Sequence, residues 1–142
     1  MREAVDTSVV VAALLGWHED HEAARKVLER SLSAERMVLP APVLIEAYAV
    51  MTRLPAPHRL SPNDAAALLR DTFAEVSTFA LEPGEIWKLI DHLEAGHISG
   101  GRSYDAHILA CARKAGARKL LTLNDRDFLA LAEPGIEILR PG

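Results

Sequence analysis

The stretch KLLTLNDRDF, Lys119 to Phe128, runs from an apolar segment straight into an Asn and two Asp residues. KLLTL (119–123) is short, Leu-rich and bounded by polar residues, the pattern of a buried strand. DRDFLALA (125–132) then reads as a short helix. Asn124 could cap that helix, and acids in its first turn would be favoured by the backbone dipole. Carboxylates at a strand end are also what a catalytic α/β protein needs, because ligands bind outside the carboxyl ends of the strands.

The rest of the chain supplies the frame. EAVD (3–6), RMVLP (36–40), VSTFAL (76–81) and IEIL (136–139) read as further short strands. Between them lie helical segments at 7–16, 19–33, 42–54, 61–75, 83–96 and 104–116. In 19–33, Ala23, Val27 and Leu28 form the inward face. Ser61, Pro62 and Asp64 give a strong helix start, and Gly96 and Gly116 mark stops. LPAPHRL (54–60) and HISGGRS (97–103) read as loops. Strands that alternate with helices argue for a mostly parallel sheet covered on both faces. Residues 1–142 contain no repeat or linker that would divide them, so one domain is expected.

Composition excludes several classes. The chain is 49% hydrophobic and 25% charged, as in a soluble globular protein, and no apolar run is long enough to span a bilayer. Glu3 and Asp6 interrupt the N-terminal apolar segment, against a signal peptide, and a cytoplasmic location is expected. The single cysteine, Cys111, cannot form an internal disulfide and sits among apolar neighbours. The net charge of −4 rules out a broad basic face. Setting aside four acids gathered at one site leaves the remainder neutral, so any nucleic-acid contact would come from local basic groups.

Four acidic positions stand out. Asp6 ends the first strand, and Asn124–Asp127 follow the fourth. Asp105 opens the helix before that fourth strand. Glu46 lies in PVLIEAYAVMTRL, a helix so apolar that burial is expected, and a lone buried carboxylate is costly. Each position has a plain structural reading. Asp6 could cap the next helix, Asp105 could sit behind a Ser103 cap, Asn124 could cap, and Glu46 could pair with Arg53. One metal site accounts for all four together, and an oxygen-only ligand set selects a hard cation, Mg²⁺ or Mn²⁺.

VDTSVVVAALL with Asp6, LPAPVLIEAYAVMTRLP with Glu46, SYDAHILACARKAG with Asp105, and LLTLNDRDF, in that order, resemble a PIN domain, most closely a VapC-type ribonuclease toxin of a toxin–antitoxin pair. The resemblance covers essentially the whole chain. It implies a three-layer αβα sandwich around four to five short strands, a homodimer, Mg²⁺ or Mn²⁺, cleavage of RNA, and a VapB-type antitoxin. It assigns Asp6, Glu46 and Asp105 as metal ligands, with Thr7 or Ser8 as the supporting hydroxyl. Many members carry Asp where Asn124 stands. Asp127 is the preferred fourth acid, Asp125 the second choice, and Asn124 could orient a water through its amide. Arg53, His58, Arg59 and Arg102 are candidate contacts to the RNA backbone. The rival reading is a non-catalytic α/β domain whose acidic pocket binds only a metal or a partner.

Other constellations carry less. HEDH (18–21) lacks the further ligands of a zinc site. HLEAGH (92–97) has the wrong spacing for a zinc-protease helix, and SGG (99–101) lacks the ending of a phosphate-binding loop. Trp17 and Trp87 are expected to be packing residues.

Overall fold

The computed structural model describes residues 1–131 and 134–142. Five strands form one sheet: β1 (Arg2–Val5), β2 (Met37–Pro40), β3 (Ser77–Phe79), β4 (Ala117–Leu121) and β5 (Glu137–Leu139). All four pairings are parallel, and the strand order is β3-β2-β1-β4-β5. The expected sheet is thus found, and it is wholly parallel rather than mostly so. The limits of its short strands lie within two residues of those expected. β2 is buried along its length, and β1 in all but its first residue. Side chains covered on both faces explain why these strands read as continuous apolar runs.

Helices α1 (Thr7–Leu14) and α2 (His21–Ser33) connect β1 to β2, and α3 (Ala41–Arg53) and α4 (Pro62–Phe73) connect β2 to β3. α5 (Pro83–Ala95) and α6 (Gly101–Lys114) lead to β4, and α7 (Asp125–Leu129) leads to β5. The chain steps outward from β1 to β3, then returns across the sheet to β4. Right-handed crossovers therefore place α1–α4 on one face and α5–α7 on the other. The direction of winding reverses between β1 and β4, and that switch point forms a crevice at the carboxyl ends of both strands.

Three helices differ from the sequence reading. In α2 the buried residues are Ala24, Leu28 and Ser31, so Ala23 lies beside the inward face. α6 starts at Gly101, three residues early, because Gly100 caps it at φ +61°, a conformation open to a residue without Cβ. Ser103 is therefore inside the helix, and Asp105 sits in its second turn. The expected end of α7 at 132 lies outside the described residues.

α3 is the largest correction. Only Val43, Ala47 and Met51 are buried, while Ile45 is 73% exposed. Leu44, Ile45 and Tyr48 instead form, with Leu69 and Phe73 of α4, an open apolar groove of about 620 Å³. The apolar character of α3 reports a surface as well as a core. α5 likewise buries no residue, and its Trp87 is 71% exposed.

Candidate active site

Asp6 is the first residue after β1, and its N–H donates to Leu121 O of β4 at 3.1 Å. The carboxylate is 2% exposed and fully engaged with its own chain. Oδ1 accepts Ser8 Oγ at 2.6 Å and the Val9 N–H at 3.1 Å, capping α1. Oδ2 accepts Thr122 Oγ1 at 2.6 Å. The capping reading and the site reading of Asp6 are therefore compatible. Three of about four lone-pair positions are occupied, which leaves Oδ2 one position for a cation. Burial pushes the Asp6 carboxyl above its ordinary value, and the bonds from Ser8, Thr122 and Val9 oppose that rise.

The same hydroxyls order the end of β4. Ser8 Oγ accepts the Leu123 N–H at 2.9 Å, and Thr122 Oγ1 accepts the Asn124 N–H at 2.9 Å. Ser8, rather than Thr7, is thus the hydroxyl bound to Asp6. Thr122, fully buried, was absent from the sequence-based candidates. Its signal was a lone hydroxyl within the apolar run LLTL. Replacing it by Val leaves Asp6 Oδ2 and the Asn124 N–H without their partner. Thr122→Val is expected to lose about 1–3 kcal/mol of stability. Urea denaturation checks this, and an unchanged midpoint would show that water substitutes for the hydroxyl.

The other acids converge on this crevice. Glu46 is half-buried in the second turn of α3, and its carboxyl is raised first by burial and then by the charge of Asp6, while Thr7 and Arg53 lower it. Thr7 Oγ1 lies close enough to influence Glu46 but falls outside ordinary hydrogen-bond geometry, so it is a buried hydroxyl without a bonded partner. Asp105 is pushed up to about 6, by burial and then by Asp127, Asp6 and Glu46, with Arg102 opposing. Asp105 thus lies within electrostatic reach of Asp6, Glu46 and Asp127, although among the described residues no three acids stand close enough to hold a metal ion as they are. They couple across the crevice without touching.

Of the two fourth-acid candidates, Asp127 is the one that acts on Asp105. Asp125 turns away to an ion pair with Arg140 at 3.5 Å. Asn124 precedes α7, and its side chain makes no capping bond. Arg53 acts on Glu46 and Arg102 on Asp105, so both flank the acids. Arg59 Nε donates to Leu54 O at 2.8 Å. His58 stacks on Trp17, which is 49% exposed, so neither tryptophan is the packing residue expected. In HEDH, His18 Nδ1 accepts the Asp20 N–H at 3.0 Å, and His21 Nδ1 lies 2.9 Å from Ala12 O, so both rings serve the α1–α2 turn.

The donor set suits a hard divalent cation. All its atoms are oxygens, the mutual repulsion of the acids outweighs the opposing charges of Arg53 and Arg102, and the Thr7 hydroxyl lacks a bonded partner. The same repulsion sets a pH dependence. Asp6, Glu46 and Asp105 are all raised, so the folded protein holds protons that the unfolded chain has already released, and for Asp105 that window runs from about pH 4 to about 6. Stability without divalent ions should therefore fall as pH rises through that window. A melt in chelator is expected to come a few degrees higher at about pH 5 than at about pH 7.5. Saturating Mn²⁺ should flatten the profile. A melting point in chelator that rises over this window would contradict the coupling.

Comparison with known proteins shows the family and the fold. The family model described as PIN domain matches residues 4–134. Ribonuclease VapC40 of Mycobacterium tuberculosis is 43% identical over 128 residues, covering 90% of this chain and 88% of the relative. Ribonuclease VapC27 of the same organism is 36% identical over 136 residues, covering 96% and 94%. Among solved structures, DNA-bound VapBC from Salmonella typhimurium superposes with a TM-score of 0.68 at 20% identity, covering 99% of this chain and 98% of that one.

Proposed function

We infer that this chain, which belongs to the PIN domain family, is an endoribonuclease acting as the toxin of a toxin–antitoxin pair. The observation that carries the reading is that Asp6 ends β1 and Asp127 follows β4 at the switch point of the sheet, with Glu46 and Asp105 near enough to feel the charge of Asp6. The ribonuclease names of relatives covering nearly the whole chain support it.

In this reading residues 1–142 work as one nuclease domain. Asp6, Glu46 and Asp105 would hold Mg²⁺ or Mn²⁺, and Asp127 would add its charge as the fourth acid. Such a cation, when bound, supplies positive charge to the phosphate and makes water a better nucleophile at neutral pH. The protein's own part is orientation. Ser8 and Thr122 fix the Asp6 carboxylate in one rotamer, so no side-chain reorganisation is needed during reaction. Arg53 and Arg102 neutralise backbone phosphates on either side of the acids. The low net charge of the rest of the chain confines RNA to this crevice.

The apolar groove of α3 and α4 and the uncovered α5 offer surfaces for a second copy and for a VapB-type antitoxin. A segment that lays an Arg among the four carboxylates would satisfy them as a cation does. Among the described residues no helix is long and apolar enough to cross a membrane. We place the activity in the cytoplasm, where RNA is available.

Purified protein is expected to cleave single-stranded RNA at internal positions with Mn²⁺ and to be inert in chelator. Cleavage undiminished by chelator would remove the cation from the mechanism. A protein that binds Mn²⁺ but cleaves nothing would favour the non-catalytic rival.

A further inference from the structure

Resting on the ribonuclease reading, we propose that Trp17 and His58 form a stacking platform for an unpaired nucleobase of the RNA strand held at the acidic crevice. Trp17 lies in the turn after α1, and His58 in the loop after α3. Their rings stack with centroids 4.2 Å apart and planes at 29°, and the His18 ring adds an edge at 6.0 Å. His58 covers one face of the indole, yet Trp17 remains 49% exposed and His58 is exposed as well. Neither ring belongs to the hydrophobic core. The loop is held in shape by the His58 N–H on Pro55 O at 3.0 Å and by the Leu60 N–H on Met51 O at 3.0 Å. The result is a stacked aromatic pair, one ring of it on a hydrogen-bonded loop, with much of the indole open to solvent.

Its position fits a polynucleotide. α1 and α3 pack together, and each begins beside the acids: Asp6 caps α1, and Glu46 lies in the second turn of α3. The ring pair bridges the far ends of the same two helices. Glu46 and Arg53 are seven residues apart, so they share one face of α3, about 10 Å apart along its axis. α3 thus carries a carboxylate of the site and then a guanidinium, and His58 of the aromatic pair follows in the loop beyond its last residue. An RNA strand presents a reacting phosphate, a neighbouring phosphate and then a base to that sequence of groups. Stacking on an aromatic face with phosphates on basic groups is how single strands are held. A base paired in a duplex cannot offer its face, so the platform selects unpaired RNA. A protein partner is better served by the larger apolar groove of Leu44, Ile45 and Tyr48 on another flank of α3.

Trp17 and Trp87 are the chain's two tryptophans, so Trp87→Phe leaves Trp17 as the sole indole reporter. In the full chain carrying Asp6→Asn and Trp87→Phe, a short single-stranded oligoribonucleotide should quench Trp17 fluorescence, and the same strand annealed to its complement should not. In cleavage-competent protein, Trp17→Ala is expected to raise KM for single-stranded RNA about tenfold with kcat little changed. Trp17→Phe, which keeps a ring, should lie near wild type and controls for folding. Oligonucleotide binding without quenching, or an unchanged KM in Trp17→Ala, overturns the platform while leaving the ribonuclease reading intact. Loss of affinity for a protein partner with unchanged RNA kinetics also overturns it and makes the patch a protein-docking surface. A wild-type protein that neither binds nor cleaves RNA overturns both readings.

Discussion

The Asp6→Asn protein is expected to fold as wild type does and to cleave RNA roughly a thousandfold more slowly, a loss of about 4 kcal/mol of transition-state stabilisation. The substitution separates two duties of one side chain. As the cap of α1, Asn serves about as well as Asp, and its carbonyl can still accept from Ser8 and the Val9 N–H. Its amide can donate to Thr122 Oγ1, which has a second lone pair beside the one taken by the Asn124 N–H. Every local bond thus has a replacement, whereas the charge has none. A hard cation that exchanges one of its carboxylate ligands for a neutral amide oxygen is held more weakly. Circular dichroism and a melting curve check the first duty, and a time course on single-stranded RNA the second. Wild-type cleavage by the carefully purified variant would show that Asp6 only caps the helix.

Glu46→Gln is expected to cost about a hundredfold or more in rate and yet leave the metal-free protein as stable as wild type, or more so. Burial and the nearby Asp6 both push the Glu46 carboxyl up, so its charge opposes folding at neutral pH. Gln removes that charge at nearly constant volume. A structural salt bridge would behave in the opposite way, and Arg53 is the residue that would make one. It influences Glu46 from two helical turns away, but the balance of effects on the carboxyl is upward. Thermal melts of both proteins, each in chelator and in excess Mn²⁺, give four values. The mutant should match or exceed wild type in chelator and gain less from Mn²⁺. A mutant that melts well below wild type in chelator yet gains the full Mn²⁺ shift would make Glu46 structural.

The alternation of short apolar strands with helices was enough to read the parallel sheet, because strands buried on both faces leave an unmistakable composition. Three of the acids were legible for a related reason: a carboxylate at a strand end, or in an apolar helix, needs an explanation. The structure brings Asp6, Glu46, Asp105 and Asp127 to one crevice and turns Asp125 aside to Arg140. What escaped was local. Thr122 passes for a strand residue, since β propensity accounts for a Thr there as well as a hydrogen bond does. The early start of α6 depends on the backbone angles of Gly100, which composition does not reveal. The apolar surface of α3 was read as core because apolarity shows that a face wants covering, not which molecule covers it. Trp17 was misjudged in the same way.

The bond between Asp6 and Thr122 joins positions 116 apart in the chain. Translation proceeds from the N-terminus, so β1, β2 and the first four helices leave the ribosome long before β4 does. Until then β1 is an open edge, Asp6 Oδ2 lacks its hydroxyl, and Asp127 does not yet exist. A nascent or prematurely terminated chain therefore carries no assembled catalytic centre. At a synthesis rate of about 5–20 residues per second, several seconds separate the first acid from the last. The order in which the sheet is completed keeps the growing chain inactive, and any inhibitor of the finished molecule has that interval in which to fold first.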